Sequence, residues 1–332
     1  MGGSIYYQRF KRIMALNSVE VQIKTIHPRY VVAARLDLLI WKTIGISFLS
    51  IFRLITVSKH NSRLVYGSNF FPPQFIKRLL GIKSISWFPD FQVHDFPEFF
   101  SRSQVKRRVR FENKLIDYSD LIVVQNNFDK IRLHKIAPRK RVCVLSFFED
   151  HISHPKSDSI KDIKAHCKKE YILVAAQSWA HKRVDEVVQA YDQSDQKIGL
   201  IVIGKLFDPR NTAYTKRLKQ LMSDSSANFL GYVSNSEKFE LFARCKALLN
   251  YSLYEGWNSS VEEALAFNKP IILSDTSFHR DQVSNAMFVN SKQELSDIFS
   301  KKMPIECNVD FSHELMRRKI IVKDFVKELK AL

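Results

Sequence analysis

Two glutamates, Glu255 and Glu263, stand in a pattern of strand, loop and helix that can hold a ligand. A buried strand is predicted to end at Asn250, a loop then carries Glu255 and Gly256, and a helix containing Glu263 follows. One carboxylate can therefore face what the loop holds, while the other flanks the start of the helix. Carboxylates accept hydrogen bonds from hydroxyl groups, so a ligand rich in hydroxyls suits this pair.

The start of this helix is a predicted anion site. Ser259 and Glu262 have the spacing of a capping box, which would begin the helix. Unpaired backbone N–H groups and the helix dipole both favour phosphate there, and Gly256 admits a close approach to the backbone. Carboxylates near a diphosphate are costly unless they bind hydroxyls, as they would on a sugar and a ribose. The pattern therefore favours a ligand that carries both phosphates and sugars.

The elements that must position these residues follow an α/β pattern, in which short β-branched runs alternate with longer segments of helical period. Glycine is scarce, with nine in the chain, so few places suit a glycine-rich phosphate loop. In the first half, the predicted strands are residues 19–26, 63–66, 83–88, 121–125 and 142–145, and the predicted helices are residues 6–16, 35–55, 74–80, 104–118 and 128–136.

The second half repeats the pattern after a polar stretch around Pro155. Its predicted strands are residues 171–175, 199–203, 228–230, 247–250, 270–273 and 287–289, and its predicted helices are residues 183–192, 214–222, 236–244 and 260–267. We predict two Rossmann-like doubly wound domains, residues 1–147 and 169–310, joined by a linker over 148–168. A C-terminal helix over 311–332 can cross back to the first domain. Two such domains face each other across a cleft at the carboxyl ends of their strands, where these folds bind ligands.

Composition excludes several classes of protein. The chain has 332 residues, of which 45% are hydrophobic, enough for two packed cores and too many for a disordered chain. Cys143, Cys167, Cys245 and Cys307 are too far apart for a C-x-x-C pair or a zinc-ligand spacing. We therefore expect reduced core cysteines in an intracellular protein.

The formal net charge of +18 is concentrated in the first half. The first 165 residues hold 28 Lys and Arg against 13 Asp and Glu, and residues 102–110 are the densest part. Such a field attracts phosphates on nucleic acid, on anionic lipid or on a small substrate. A solvated helix face that keeps the protein soluble is the alternative.

The N-terminus has no apolar region followed by a cleavage site, so no signal peptide is predicted. The most hydrophobic stretch, residues 36–57, is interrupted by Lys42 and Arg53 and is too short for a membrane span. It is predicted to be a buried helix. The alternative is an amphipathic helix in the membrane interface, with the two basic side chains reaching toward headgroups.

Several motifs resemble those of one family. The pair Glu255-x7-Glu263, followed by Lys269-Pro270-Ile271-Ile272-Leu273-Ser274-Asp275, resembles the retaining glycosyltransferases of family 4, which have the GT-B fold. Gln177-Ser178-Trp179-Ala180-His181-Lys182 is similar to a Gln-Phe-Trp-x-His-Lys loop of one bacterial branch, and residues 87–92 and 96–101 are similar to its Trp-Ile-Pro-Asp-Phe-Gln and Leu-Pro-Glu-Phe-Phe. The resemblance covers residues 60–320 well and the first 60 loosely. It implies the GT-B fold.

The resemblance places the donor site in the second domain. Glu255 would hold hydroxyls of the donor sugar, Glu263 would bind the nucleotide ribose, and Lys182 would neutralise the departing diphosphate. Backbone amides around Gly256 and Trp257 would complete a cradle that needs no metal ion and no other cofactor. The further donor contacts implied are Gln177, Gly204, Tyr232, Asn258 and Ser259.

One charge of the family's cradle is missing. Many members have an arginine where this chain has Gln177. Either Gln177 donates a weaker hydrogen bond, or another basic residue, Arg183 or Lys205, takes the place of the arginine.

The acceptor side is expected in the first domain, where Asp90, Gln92, His94 and Asp95 would line the site. The family's usual His-Asp pair appears here as Pro89-Asp90, so Asp90 keeps the predicted catalytic role and His94 is a candidate replacement for the histidine. Gly2 and Gly3 match a glycine loop that reaches the cleft in the family, but they follow Met1 directly. The strand that should precede them is therefore missing, because the chain is truncated, its start is misassigned, or the sheet is paired differently. We expect the first domain to be destabilised unless another strand fills the gap.

These expectations describe a retaining glycosyltransferase that moves a hexosyl or deoxyhexosyl group from a nucleotide-diphosphate sugar to a lipid-linked or oligosaccharide acceptor. Synthesis of a bacterial surface polysaccharide (O-antigen, capsule or lipopolysaccharide) is the implied setting. The basic first half then suits an anionic membrane surface, so we expect a cytoplasmic enzyme held peripherally on the inner face of the plasma membrane. The alternatives are a relative that epimerises or hydrolyses a nucleotide sugar, one that only binds glycan, and a nucleic-acid-binding protein. The last would need aromatic residues among the basic ones, and only Phe111 lies near, so no nucleic-acid partner is predicted.

Overall fold

The computed structural model describes residues 64–66, 74–88, 90–146, 169–307 and 309–332, together with Met14. These residues divide into two compact units. The first unit takes the described residues within Met1–Val93, Ser101–Phe147 and Lys319–Leu332, and the second takes those within His94–Phe100 and Phe148–Arg318. Gly2, Gly3 and the predicted elements over 6–16, 19–26 and 35–55 lie outside the described residues, apart from Met14.

The described strands of the first unit form a parallel sheet in the order β1-β2-β3-β4. Along the chain, at least one helix lies between each strand and the next, which is the βα alternation that the sequence predicts. The elements are β1 (Leu64–Tyr66), α1 (Gln74–Leu79), β2 (Lys83–Trp87), α2 (Gln92–Asp95), α3 (Arg102–Tyr118), β3 (Leu121–Val124), α4 (Asn127–Ile136) and β4 (Arg141–Val144). The last two residues of α2 belong to the second unit.

The longest of these helices, α3, begins at a capping box. Ser101 accepts a hydrogen bond from the Gln104 backbone N–H at 3.3 Å, and the Gln104 side chain accepts one from Ser101 N at 2.8 Å. Two backbone donors that the helix cannot satisfy are thereby paired. The helix buries Leu115 and Ile116, while Lys106 and other basic side chains of its first turns are exposed.

The second unit contains a parallel sheet of six described strands in the order β10-β9-β8-β5-β6-β7. The order runs outward in both directions from β5, so the chain winds first to one side of the sheet and then to the other, as in a doubly wound fold. The elements are β5 (Tyr171–Ala175), α5 (Val184–Asp192), β6 (Gly199–Ile203), α6 (Thr212–Asp224), β7 (Asn228–Gly231), α7 (Asn235–Arg244), β8 (Ala247–Asn250), α8 (Ser259–Ala266), β9 (Ile271–Ser274), α9 (Ser277–Gln282), β10 (Met287–Val289) and α10 (Lys292–Phe299). The last helix, α11 (Phe311–Lys330), belongs to this unit up to Arg318 and to the first unit from Lys319 onward.

The central strands of this sheet are buried on both faces. Leu200 and Val202 of β6 belong to one hydrophobic cluster, whereas Ile201 and Ile203 belong to another. Successive strand residues point to opposite faces, so helices cover both faces of the sheet. This double burial explains why the strands read in the sequence as continuous apolar runs.

The predicted linker, residues 148–168, lies outside the described residues, and the predicted domain limits stay predictions. The apolar stretch over 36–57 lies outside them as well. Within the described part of the chain, every helix is too short or too polar to cross a membrane.

Candidate active site

The predicted donor residues of the second unit follow the carboxyl ends of three neighbouring strands. Gln177 follows β5, Gly204 follows β6 and Glu255 follows β8, and β5 lies between the other two strands. Because the strands are parallel, these loops emerge at the same edge of the sheet. The fold therefore gathers segments that are distant in sequence.

Glu255 is buried at this edge and paired with Lys182. Its Oε2 accepts a short hydrogen bond from Lys182 Nζ. Its Oε1 lies within hydrogen-bond distance of three donors, Ser252 Oγ at 2.8 Å, Asn250 Nδ2 at 3.2 Å and Asn258 Nδ2 at 3.4 Å. The carboxylate is thus held from both sides, which fixes its orientation.

The ion pair keeps Glu255 charged. Burial by itself would raise the pKa of the Glu255 carboxyl, but the Lys182 ammonium outweighs burial and holds that pKa below its usual value. His181, the residue before the lysine, is also buried, and burial together with the nearby Lys182 charge lowers its pKa to about 3. The site at neutral pH therefore contains one ion pair and a neutral imidazole.

The loop that carries Lys182 is held by Asp208 and Arg210. Ala180 N donates to Asp208 Oδ2 at 3.1 Å, and Arg210 Nε lies 3.4 Å from Asp208 Oδ1. The Arg210 guanidinium stacks over the Trp179 ring at 4.6 Å from its centroid. These contacts place Lys182 in the short 3-10 helix Ala180–Lys182.

The three residues considered for the missing charge have different environments. Gln177 is exposed. Arg183 is engaged in the protein, because its Nε donates to Tyr251 O at 2.8 Å and its guanidinium lies 3.8 Å from the Tyr251 ring centroid. Lys205 is exposed, with its ammonium 5.4 Å from the centroid of Phe207.

The backbone at position 204 requires a glycine. Its φ is +129°, and a Cβ at this position would lie 1.9 Å from Ala176 O. Its N–H donates to Gly231 O at 2.8 Å, which joins the ends of β6 and β7. Tyr232, the next predicted donor residue, is 85% exposed.

Helix α8 begins differently from the expectation. The predicted capping box of Ser259 and Glu262 is wrong, because Asn258 is the N-cap and its side chain accepts from Ser260 N at 3.1 Å. Glu262 is instead buried and paired with Arg318. Asn258 competes successfully because its short side chain can bond the first turn of the helix while its amide donates to Glu255.

Glu263 and Trp257 are both buried beside this helix start. Glu263 Oε1 lies 2.5 Å from Lys238 Nζ, so this carboxylate also has a basic partner within the second unit. Gly256 lies between Glu255 and Trp257 and is partly exposed.

The predicted acceptor residues fall in both units. Asp90 Oδ1 accepts a hydrogen bond from Gln92 N at 2.9 Å, within the first unit. His94 and Asp95 are exposed and belong to the second unit.

The segment His94–Phe100 packs on the second unit through its aromatic residues. Phe96 lies 6.0 Å from the ring of Tyr254, and Phe99 lies 6.1 Å from the ring of His181. Both partners adjoin a predicted site residue, so this segment of the first half of the chain contributes to the surroundings of the Glu255 and Lys182 pair.

Sequence reasoning missed several residues that shape the site. Asn250 and Ser252 precede Glu255 closely, and their polar side chains just after a buried strand were an available signal. Lys238, Asp208 and Arg318 gave no such signal, because their partners are distant in sequence. His279 is also buried in the second unit, and its Nδ1 lies 3.0 Å from Ser274 O.

No cluster of three or more His, Cys, Asp or Glu that could hold a metal ion occurs among the residues that the structure describes. The expectation of a site without metal or other cofactor stays a prediction.

Comparison with solved structures identifies the fold. The crystal structure of Anabaena Alr3699/HepE in complex with UDP and glucose superposes with a TM-score of 0.66 at 16% identity, over 97% of this chain and 89% of that chain. A UDP-forming alpha,alpha-trehalose-phosphate synthase from Burkholderia vietnamiensis superposes with a TM-score of 0.63 at 12% identity, over 86% of this chain and 78% of that chain. The chain has the GT-B fold of glycosyltransferases.

Comparison of sequences identifies a domain and two relatives. Residues 156–298 match the family described as Glycosyl transferases group 1, so a domain of that family is present. The O-antigen chain mannosyltransferase RfbU of Salmonella typhimurium is 31% identical over 147 residues, which is 42% of this chain and 39% of the relative. The O-antigen chain mannosyltransferase B of Escherichia coli is 19% identical over 245 residues, 71% of this chain and 63% of the relative. The chain thus spans less than two thirds of either relative.

Proposed function

We propose that this protein is a retaining glycosyltransferase of family 4 type, which transfers a hexosyl or deoxyhexosyl group from a nucleotide-diphosphate sugar to a glycan acceptor in bacterial surface polysaccharide synthesis. The observation that carries the proposal is the buried pair of Glu255 and Lys182 beside the start of α8, inside a glycosyl transferases group 1 domain. The two O-antigen mannosyltransferase relatives favour O-antigen as the product and a mannosyl donor as the first to test. Neighbouring structures hold UDP and UDP-glucose, which supports a nucleotide sugar as donor.

The chemistry we propose uses the pair as a unit. Lys182 Nζ donates to the Glu255 carboxylate, and a bound diphosphate competes with that carboxylate for the ammonium. As the sugar leaves the diphosphate, negative charge grows on the phosphate, and a cation already in place lowers the barrier without moving. Glu255, fixed by its three other donors, then accepts hydrogen bonds from hydroxyls of the sugar.

Retention follows, in this proposal, from attack on the face that the diphosphate leaves. The acceptor hydroxyl would give its proton to the leaving phosphate, so no protein nucleophile is needed. Lys205 is the better candidate to supply the second charge at the phosphates, because Arg183 is bound to Tyr251. Asp90, Gln92, His94 and the glycines Gly2 and Gly3 remain the proposed acceptor residues.

The test is Glu255→Gln in the full chain. Removing the negative charge while keeping the shape should lower the transfer rate at least about a hundredfold, because the interaction with the sugar is lost in the transition state. Glu170→Gln is the matched control, since Glu170 pairs with Lys246 and Lys301 on the surface and should leave transfer unchanged. Radiolabelled UDP-, GDP- and dTDP-sugars are offered with an extract of lipid-linked glycan as acceptor.

Three outcomes separate the candidate functions. Label in the glycan with wild type and its loss in Glu255→Gln supports transfer. Label in free sugar or in an epimer with no glycan product identifies a hydrolase or epimerase instead. Wild-type rates in Glu255→Gln would contradict the proposed role of this carboxylate.

We further propose that the acceptor is lipid-linked and that the protein binds the inner face of the plasma membrane peripherally. The basis is charge, since the first 165 residues hold most of the net positive charge. Lys106, Arg107 and Arg110 of α3 are exposed, so this part of the charge can reach an anionic surface.

A further inference from the structure

A cluster of buried charges lies within the second unit, directly beside the loop that holds Gly256 and Trp257. Arg318 is 2% exposed, Glu262 is 1% exposed and Glu314 is 2% exposed. Gln282, at 1% exposed, completes the cluster. None of these four residues is among the groups proposed to touch the donor.

Arg318 is the centre of the cluster. Its Nε and Nη2 bind the two oxygens of Glu262 at 2.9 and 2.7 Å, a two-pronged contact that only arginine makes. Its Nη1 donates to Glu314 Oε2 at 2.7 Å, and its Nη2 also donates to Gln282 O at 3.1 Å. The guanidinium lies 5.7 Å from the centroid of the Trp257 ring.

Gln282 transmits this arrangement to the loop. Its Nε2 donates to Asn258 O at 2.8 Å and to Glu262 Oε1 at 2.9 Å, and its Oε1 accepts from Asn258 N at 3.3 Å. Both backbone groups of Asn258 are therefore fixed by one side-chain amide. Asn258 in turn caps α8 and donates to Glu255 Oε1. A continuous path of hydrogen bonds thus runs from Arg318 to the carboxylate of the candidate active site.

The alternative is that the cluster only stabilises the fold. Two buried carboxylates and one buried guanidinium are costly to remove from water, and apolar residues of similar volume often stabilise a protein as well or better. Buried charges beside this loop are better explained by a positioning role. A hydrogen-bonded network fixes the main chain in one position, where apolar packing would allow several.

We propose that Arg318 is a positioning residue for the donor: through Glu262 and Gln282 it holds the loop of Gly256, Trp257 and Asn258 where its backbone amides meet the diphosphate. The proposal rests on the proposed function. It concerns a residue of the C-terminal helix α11 that contacts the loop and not the substrate.

Two substitutions interrupt the path at different points. Arg318→Lys keeps a positive charge but loses the two-pronged contact, and Gln282→Met removes the contacts to Asn258 while Arg318 keeps both carboxylates. Val322→Ala is the matched control, because Val322 is buried one turn further along α11, and its truncation costs stability while the hydrogen bonds of Arg318 to Glu262, Glu314 and Gln282 are kept.

Three measurements are made on each full-length variant. Hydrogen exchange of the peptide over residues 253–260 without ligand should be faster in Arg318→Lys and in Gln282→Met, and unchanged in Val322→Ala. The KM for the donor should rise about tenfold in the two cluster variants, since a small displacement of the amides weakens phosphate binding. The KM for the acceptor should stay the same. A purely structural defect lowers the folded fraction, which reduces the maximal rate and leaves both KM values unchanged.

The outcomes are distinguishable. Wild-type exchange and wild-type donor KM in Gln282→Met would overturn the proposal, even if Arg318→Lys fails to fold. If the wild-type protein shows no transfer and binds no nucleoside diphosphate, the proposed function fails and the donor role of Arg318 fails with it. Exchange over 253–260 then still shows whether Arg318 positions the loop.

Discussion

At the scale of single residues, two buried histidines near Glu255 make the stability of the protein depend on pH. Burial, with the nearby Lys182 charge, lowers the pKa of His181 to about 3. Burial also lowers the pKa of His279 to about 4, although the Glu255 carboxylate opposes it. In the unfolded chain both imidazoles have an ordinary pKa of about 6.5. At any pH between the folded-state pKa values and the unfolded-state pKa, the unfolded state therefore binds more protons than the folded state.

The sign of the pH dependence follows directly. As the pH falls below about 6.5, the unfolded state is stabilised by protonation and the free energy of unfolding decreases, by about 1.4 kcal/mol per pH unit for each histidine. Above that pH the two histidines contribute no slope. The pKa of Glu255 is also lowered in the folded protein. The free energy of unfolding therefore decreases further when the pH falls below the ordinary pKa of a glutamate.

We expect urea unfolding between pH 6 and pH 5 to show this slope, and His279→Asn to reduce it by about half. His313→Asn is the control, because His313 is exposed on α11 and should leave the slope intact. A flat stability profile over this interval would show that these histidines are protonated in the folded protein.

At the scale of elements, the position of the site depends on a close contact between two strand ends. Gly204, at the end of β6, has a φ of +129° and leaves no room for a Cβ beside Ala176 O. Gly204→Ala should therefore force the β5 and β6 ends apart. A loss of about 3 kcal/mol or more in the free energy of unfolding is expected, together with weaker nucleotide binding.

Gly81→Ala is the matched control for this prediction. Gly81 also has a positive φ, of +61°, but a Cβ there would meet nothing within 4 Å. Its cost should be about 1 kcal/mol, without an effect on nucleotide binding. Equal losses in the two variants, measured by urea unfolding, would show that the strand ends can separate without strain.

The elements also show how far the sequence reaches. Local patterns locate the described strands and most helices to within about two residues, because apolar periodicity depends on neighbours in the chain. The start of α8 shows the limit. Ser259 and Glu262 have the spacing of a capping box, but the Glu262 side chain forms an ion pair with Arg318, 56 positions away. Which of two plausible caps forms is decided by a tertiary partner that no local pattern contains.

The same reasoning applies to the site. Glu255 and Lys182 were both predicted as donor residues, since each lies in a recognisable motif, and the structure brings them into contact. The side chains that orient them were not predicted, apart from Asn258. Asp208 holds the lysine loop only because β6 lies next to β5 in the sheet, and that neighbourhood follows from strand order and not from any single segment.

At the scale of the whole molecule, the two halves of the chain differ in net charge. The half with the group 1 domain is close to neutral, whereas the first 165 residues carry 28 basic and 13 acidic residues. A positive charge that served only to attract the proposed nucleotide sugar would be expected in the half with the group 1 domain. The proposed binding to an anionic membrane and to a diphosphate-linked acceptor would account for a charge that lies in the first half.

The exposed basic residues of α3 make this testable. The double variant Lys106→Gln/Arg107→Gln should bind vesicles of phosphatidylglycerol and phosphatidylcholine more weakly than wild type, by about 1 kcal/mol for each charge removed, or roughly thirtyfold in total. Binding of the wild type should also weaken at high salt, because the interaction is between exposed charges. Sedimentation with vesicles measures both effects.

Lys216→Gln/Lys219→Gln is the matched control, because both lysines are exposed on α6 of the donor half and the same charge is removed. This control should sediment with anionic vesicles as the wild type does. If the two double variants lose binding equally, the attraction depends only on total charge and α3 has no particular role. If neither loses binding, charge on α3 serves solubility, and association with the membrane must come from another part of the chain.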